Sequence, residues 1–249
     1  MKFGGRRPPE CVSRRLSLHR CVMRLAFFAL LGFTALLSAQ QDNTPNDNEK
    51  KAITALKKYK GAKTGINPKL HAEGRLTLKL DTATDAILAD IAKHPEIGSF
   101  QALDGTACTV KGFTALHNLP QLRRLTLNKS GVSDKELAVI AGCKELRELV
   151  LPESTITDAG LVEIEKLPKL EKLDISDAAK VTDKGIAHIV KLERLEELFL
   201  NKTSITDKGL LELKPLEGLR ALSVGGTKVT QAAAEKFPDM MPNLRVVRR

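Results

Sequence analysis

The chain has 249 residues, of which 42% are hydrophobic but only 4% aromatic, so any core must be aliphatic. Its formal net charge of +10 is unevenly placed: residues 1–39 carry seven basic side chains and one acid, and the remainder carries 33 and 29. A surface so nearly balanced excludes a phosphate-binding stripe and, with it, a nucleic-acid partner.

In chain order, Arg14, Arg15, Arg20 and Arg24 precede the apolar run LAFFALLGFTALLSAQ (residues 25–40). A basic start, an apolar stretch and a small residue at Ala39 form the pattern of a secretory signal peptide, assigned to residues 1–39. The run is shorter than the roughly 20 apolar residues of a spanning helix, so no stable membrane span is expected after cleavage. Met23 opens a tidier version of the same signal. SRRLSL (residues 13–18) resembles a twin-arginine export signal but lacks the usual Phe. The expected location is secreted or periplasmic.

Residues 40–47 are polar and read as a flexible linker. NEKKAITALKKYKG (residues 48–61) sets Ile53, Leu56 and Tyr59 on one side of an amphipathic helix. With its connection, residues 48–75, it is expected to cover the open N-terminal end of the core. Past the signal only Cys108 and Cys143 remain, both at positions that elsewhere hold apolar residues. Buried free thiols are expected there, not a disulfide framework.

Residues 76–249 form one array. RLTLKLDTATDAILADIAK (residues 75–93) reads as a strand and helix that start it, and residues 95–118 as a degenerate unit with Cys108 and Phe113 at apolar positions. Then the chain slides onto itself with a shift of 24 or 25. The units begin at Leu119, Cys143, Leu167, Leu192 and Leu216; one reads LERLEELFLNKTSITDKGLLELKP. Their shared pattern is L-x-x-L-x-x-L-x-L-x-x-[ST]-x-[IV]-[ST]-D-x-G-[LI]-x-x-[LI]. Segments such as RLTL and ELFL alternate apolar and polar, as a half-buried strand does, and Leu210 and Leu213 follow at helical spacing. Each unit is therefore a strand, a turn and a helical return. No unit can cover its own leucines, so the units must stack. MPNLRVVRR supplies a last strand with a basic edge.

This pattern resembles the leucine-rich repeat family, in particular the short 24-residue repeats with a Thr-Asp-x-Gly-Leu segment of bacterial secreted proteins and of F-box proteins. The resemblance implies an α/β solenoid with parallel strands on the concave face and short helices on the convex face. It also implies a non-catalytic module that binds another protein through its strand face. A passive envelope component and a substrate adaptor like the F-box proteins are the alternatives. The usual turn Asn of such repeats is replaced here by Ser130, Ser154, Thr203 and Thr227.

The recurring Thr-Asp-x-Gly reads as structure before chemistry. Thr or Asp is placed to cap the helical return, with Asp134, Asp158, Asp183 and Asp207 each assigned to capping and not to a cation site. SDKE at residues 133–136 fits a capping box. Gly160, Gly185 and Gly209 relieve crowding ahead of a buried Leu or Ile. The Leu167 unit has one residue more than its neighbours, near Ala178 and Ala179, and a bulged turn is expected there.

Past the signal, none of His71, His94, His117 and His188 lies within four residues of another His or a Cys, and there is no nucleophile elbow, phosphate loop or Cys-x-x-Cys. The sequence therefore points to no enzyme, cofactor or metal. The informative surface is the outward side of the strands, where columns run across the units. The first is Arg124, Glu148, Lys172, Glu197, Ala221, alternating in sign and read as a ladder of ion pairs. The second is Thr126, Val150, Asp174, Phe199, Ser223, in which Val150 and Phe199 are apolar where exposure is expected. The third, which includes Asn201, is small and polar. The candidate partner-binding residues are Arg124, Thr126, Glu148, Val150, Lys172, Asp174, Glu197, Phe199 and Asn201, on a chain expected to be a monomer.

Overall fold

The computed structural model describes residues 44–67 and 75–248. The expected signal peptide, the first residues of the linker and His71 lie outside the described residues. Helix α1 spans Asp47–Leu56 and strand β1 Lys63–Ile66. Then come β2 Leu76–Thr84, α2 Asp85–Ile91, β3 Ile97–Ala107 and α3 Val110–Ala115. The regular units follow as β4 Arg124–Leu127, α4 Asp134–Ile140, β5 Glu148–Val150 and a 3₁₀ turn Gly160–Lys166. The array continues with β6 Lys172–Asp174, α5 Asp183–Ile189, β7 Glu197–Phe199 and α6 Asp207–Glu212. It closes with β8 Ala221–Ser223, α7 Gln231–Lys236 and β9 Val246–Arg248.

The nine described strands form one open sheet in strict sequence order. From β2 onward every neighbouring pair is parallel, so each return helix crosses on the same side and the chain advances as an α/β solenoid. Strands sit about 4.8 Å apart, whereas packed helices need about 8–10 Å. The helical side must fan out, and the sheet takes the concave face.

The core lies between these layers. Leu125, Leu149, Leu173, Leu198 and Leu222 stack from strand to strand at full burial or nearly so. Leu137, Leu161, Ile186 and Leu210 meet them from the helices, as the apolar spacing requires. Leu103, Val110, Val162, Leu211 and Met240 are the large apolar side chains left exposed among the described residues.

The array begins differently from expectation in one respect. The connection after α1 contains β1, which pairs antiparallel with β2 and covers the first edge of the parallel sheet. α1 ends at Leu56, earlier than the sequence pattern suggests. Ala52 and Leu56 are fully buried against the core. Glu49, also buried, accepts hydrogen bonds from Arg75 at 2.9 and 3.0 Å and closes a capping box with Asn46. Tyr59 donates to Asp90 at 2.5 Å, tying the segment to α2.

One residue per unit, just after the strand, takes a left-handed conformation: Lys129, Glu153, Asp177, Lys202 and then Gly226. This turn lets the ladder run beyond the strand, with the Glu153, Asp177 and Lys202 N–H groups bonded to Ser176, Asn201 and Gly225 carbonyls. The extra residue of the Leu167 unit is absorbed within its turn. Ala178 is buried there, and the strand register stays intact from Asp174 to Phe199.

A clasp between repeats

The Thr-Asp segment has a role that differs from the expected one. Thr182 and Thr206 are the N-caps, their hydroxyls accepting from the N–H of Lys184 and Lys208. The Asp that follows is not a cap. Its carboxylate reaches forward to the Thr of the next unit and takes both the backbone N–H and the hydroxyl. Asp134 holds Thr157 at 2.8 and 2.6 Å, Asp158 holds Thr182 at 2.7 and 2.6 Å, and Asp183 holds Thr206 at 2.7 and 2.6 Å. Asp85 holds Thr109 and Asp207 holds Thr230 in the same way. A carboxylate accepts without competition, whereas a hydroxyl must also donate, which is why Asp and Thr divide the two tasks.

Glycines border most of these contacts, although Ala233 takes that place beside the Asp207–Thr230 pair. A Cβ on Gly112, Gly160 or Gly209 would fall 2.1–2.2 Å from the carboxylate of Asp85, Asp134 or Asp183. The crowding expected at these positions is thus with the neighbouring unit's Asp. Val110 provides the internal control, because it stands where an Asp would reach Ser133. There Glu136 of the same unit accepts from the Ser133 N–H at 3.0 Å and from its hydroxyl, in the capping box that SDKE suggested. Glu136 occupies the glycine position, and no incoming carboxylate needs the space.

Candidate protein-interaction face

The register assembles the candidate residues into two rows across the sheet. The first runs Ser99, Arg124, Glu148, Lys172, Glu197, Ala221. The second runs Lys63, Lys79, Gln101, Thr126, Val150, Asp174, Phe199, Ser223. Arg124 pairs with Glu148 at 2.9 Å, and Lys172 with Glu197 at 2.7 Å. Beside them, at the strand entries, Arg147 pairs with Glu171 and Arg220 with Glu196. Such partly exposed pairs contribute about 0–1 kcal/mol each. Their larger effect is to leave the middle of the face nearly neutral.

Phe199 has a neighbour on its ring. It is half-buried, and the Lys172 ammonium stands 5.0 Å from its ring centroid while also bonding to Glu197. The cation–π contact gives the ring a partner within the protein. Asn201 is also spent locally. Its carbonyl oxygen accepts from the Ser223 hydroxyl at 2.6 Å and the Gly225 N–H at 2.8 Å, and its amide donates to Ser176. Asp174 accepts from the Ser176 N–H at 3.0 Å. Thr126 and Val150 are half-exposed and lie beside each other on β4 and β5.

The hydroxyls that replace the usual turn Asn do not stack between units. Thr203 and Thr227 donate to carbonyls three residues back, at 2.7 and 2.6 Å, and the buried Ser154 hydroxyl has no partner.

Several other reactive side chains are occupied or buried. Cys108 and Cys143 are free and buried, and burial pushes their thiols up to about 12 and about 11. His117 Nε2 lies 2.7 Å from the Val139 carbonyl of the next unit, and His188 Nδ1 lies 2.6 Å from Glu165. Among the described residues no three His, Cys, Asp or Glu side chains are grouped to hold a metal ion, and no helix is long and apolar enough to cross a membrane.

The sequence reading missed the N-terminal end of both rows. Lys63 and Gly65 arrive on β1, and Thr77, Lys79, Ser99 and Gln101 on β2 and β3. The alternation in LTLKL carries the signal for Thr77 and Lys79; the four residues of β1 carry none.

No family model matches the chain, and no curated protein does. Among solved structures the chain is similar to an internalin C2 from Listeria monocytogenes, at 18% identity over 69% of this chain and 79% of that one, with a TM-score of 0.49. An internalin from the same organism gives 16% identity, 82% and 64% coverage and a TM-score of 0.47. The yeast complex of Rad7 and Elc1 gives 21%, 68% and 48%, with a TM-score of 0.49.

Proposed function

We propose that the chain is an exported, non-catalytic interaction module that docks another protein on its strand face. The observation that carries this reading is the sheet face, which no described helix covers. The described return helices lie on the opposite side, and Arg124, Thr126, Glu148, Val150, Lys172, Asp174 and Glu197 remain half-exposed on a platform of clasped repeats. Neutralised charges with an apolar patch at Val150 and Phe199 suit a protein partner better than a polyanion. The basic, apolar N-terminal segment supports export.

Site-specific photo-crosslinking tests both parts. A photoreactive residue at Thr126 should give one discrete adduct in the envelope or secreted fraction, lost with Phe199→Ala and Val150→Ala. The same residue at Val162, on the helical side, should give none. Equal adducts from both positions, or none from Thr126, would support a passive envelope component instead. An adduct confined to cytoplasm overturns export.

A further inference from the structure

The second row ends in an arrangement that internal packing does not explain. β1 sets Lys63 directly opposite Lys79. Like charges at facing positions of a strand pair repel. Among the described residues neither lysine has an ion-pair partner, although most charges along the face are paired. Asp81, the next outward residue on β2, pairs with neither and lies against Gly61, where a Cβ would fall 2.2 Å from its carboxylate. The two lysines line a shallow concavity of about 280 Å³ with Thr77, Ser99 and Gln101. The Thr77 hydroxyl donates to the Gly65 carbonyl at 3.0 Å, which leaves the Ser99 hydroxyl and the Gln101 amide as donors, and none of these neighbours is a carboxylate. A site with two unopposed cations and surrounding neutral donors is complementary to carboxylates.

We infer that the N-terminal end of the strand face is a carboxylate-binding subsite, and that the docked partner presents an acidic segment there. The inference rests on strand-face docking and gives that partner its chemistry. The row also sets a spacing. Lys79, Gln101, Thr126 and Val150 occupy consecutive strands, and three steps of about 4.8 Å make about 14 Å, or about four residues of extended chain. A partner segment lying across the strands would carry paired acids and then, about four residues on, an apolar residue over Val150 and Phe199.

The test uses a fluorescein-labelled peptide with two adjacent glutamates and a leucine four residues later, read by anisotropy. Saturable binding should weaken about tenfold in the Lys63→Gln, Lys79→Gln variant, as two exposed charge pairs allow. It should stay unchanged in Lys135→Gln, Lys184→Gln, which removes the same charge from the helical side. Removing the facing lysines should leave the melting temperature equal or higher, since it relieves repulsion. Equal weakening in both variants, or no saturable binding, would overturn the subsite. If glutamine replaces glutamate in the peptide without effect while alanine for leucine still weakens binding, the subsite fails and strand-face docking survives. If binding depends on the glutamates and not on the leucine, the subsite stands and docking over Val150 and Phe199 fails.

Discussion

Replacing Asp183 and Gly209 by Ala, singly and together, separates the two halves of one clasp. In Asp183→Ala, the Thr206 N–H and hydroxyl lose acceptors at 2.7 and 2.6 Å. Hydrogen bonds to a charged group contribute about 1.5–3 kcal/mol each; at this half-buried position water replaces part of them, so the pair should be worth about 2–4 kcal/mol. Gly209→Ala alone places a methyl 2.2 Å from Asp183 Oδ1 and 3.3 Å from its Cα. The carboxylate must turn away, and overpacking of this kind costs about 1–3 kcal/mol. Once Asp183 is truncated, only the backbone approach remains. Ala is then favoured over Gly in the helix by about 0.5–1 kcal/mol, part of which the 3.3 Å contact removes. The double variant should be at least as stable as Asp183→Ala, a coupling of about 1–3 kcal/mol. Urea unfolding followed by circular dichroism gives all four stabilities. If Gly209→Ala lowers stability equally in both backgrounds, the glycine is not there to admit the carboxylate.

Two further outcomes concern titration. The thiols of Cys108 and Cys143 should resist alkylation at pH 8 and react fully once unfolded. A rise from 9.0 to about 12 leaves Cys108 about a thousandfold less thiolate, and rapid labelling of the folded protein would contradict its burial. Lys58, Tyr59 and Lys93 hold the Asp90 carboxyl well below its usual range. Burial pushes Glu49 up, but hydrogen bonds from Arg75 and Asn46 outweigh it and the net shift is downward. Both groups are lower folded than unfolded, so their stabilisation is complete above about pH 4–5 and lost as pH falls toward their folded values. The urea midpoint should drop below about pH 4, more shallowly in Asp90→Asn; an identical slope would remove Asp90 from the account.

The repeats were legible because burial imposes a period. Leu198 and Leu200 must face inward, so the 24-residue spacing and both rows of outward residues could be written down in register. The clasp was not legible for the same reason. A period shows that Asp183 recurs, but not that its partner lies 23 residues on, and capping by the adjacent Thr206 explains the same letters. The Lys172 contact on Phe199 was not legible because a column lists neighbours without their reach; a lysine stem from one strand away is long enough to reach a ring. β1 escaped notice because four residues containing a glycine carry too little alternation to mark a strand, and its place is set by the edge it covers.

The clasp also makes the seams of the array directional. Asp134, Asp158 and Asp183 are each given forward to a Thr beside a glycine, and Asp207 to Thr230 beside Ala233. A duplicated unit carries both halves and would join any copy of itself, so the array could grow by insertion without inventing a new contact. The seam after Val110 lacks the contact altogether. Nothing is given there, and Glu136 fills the space a carboxylate would need. A unit copied into that seam would bring a Thr with no acceptor, while the Ser133 unit moved elsewhere would meet an Asp it has no room to receive. Growth by copying is therefore open among the units between Ser133 and Thr230 and closed at the Val110 junction.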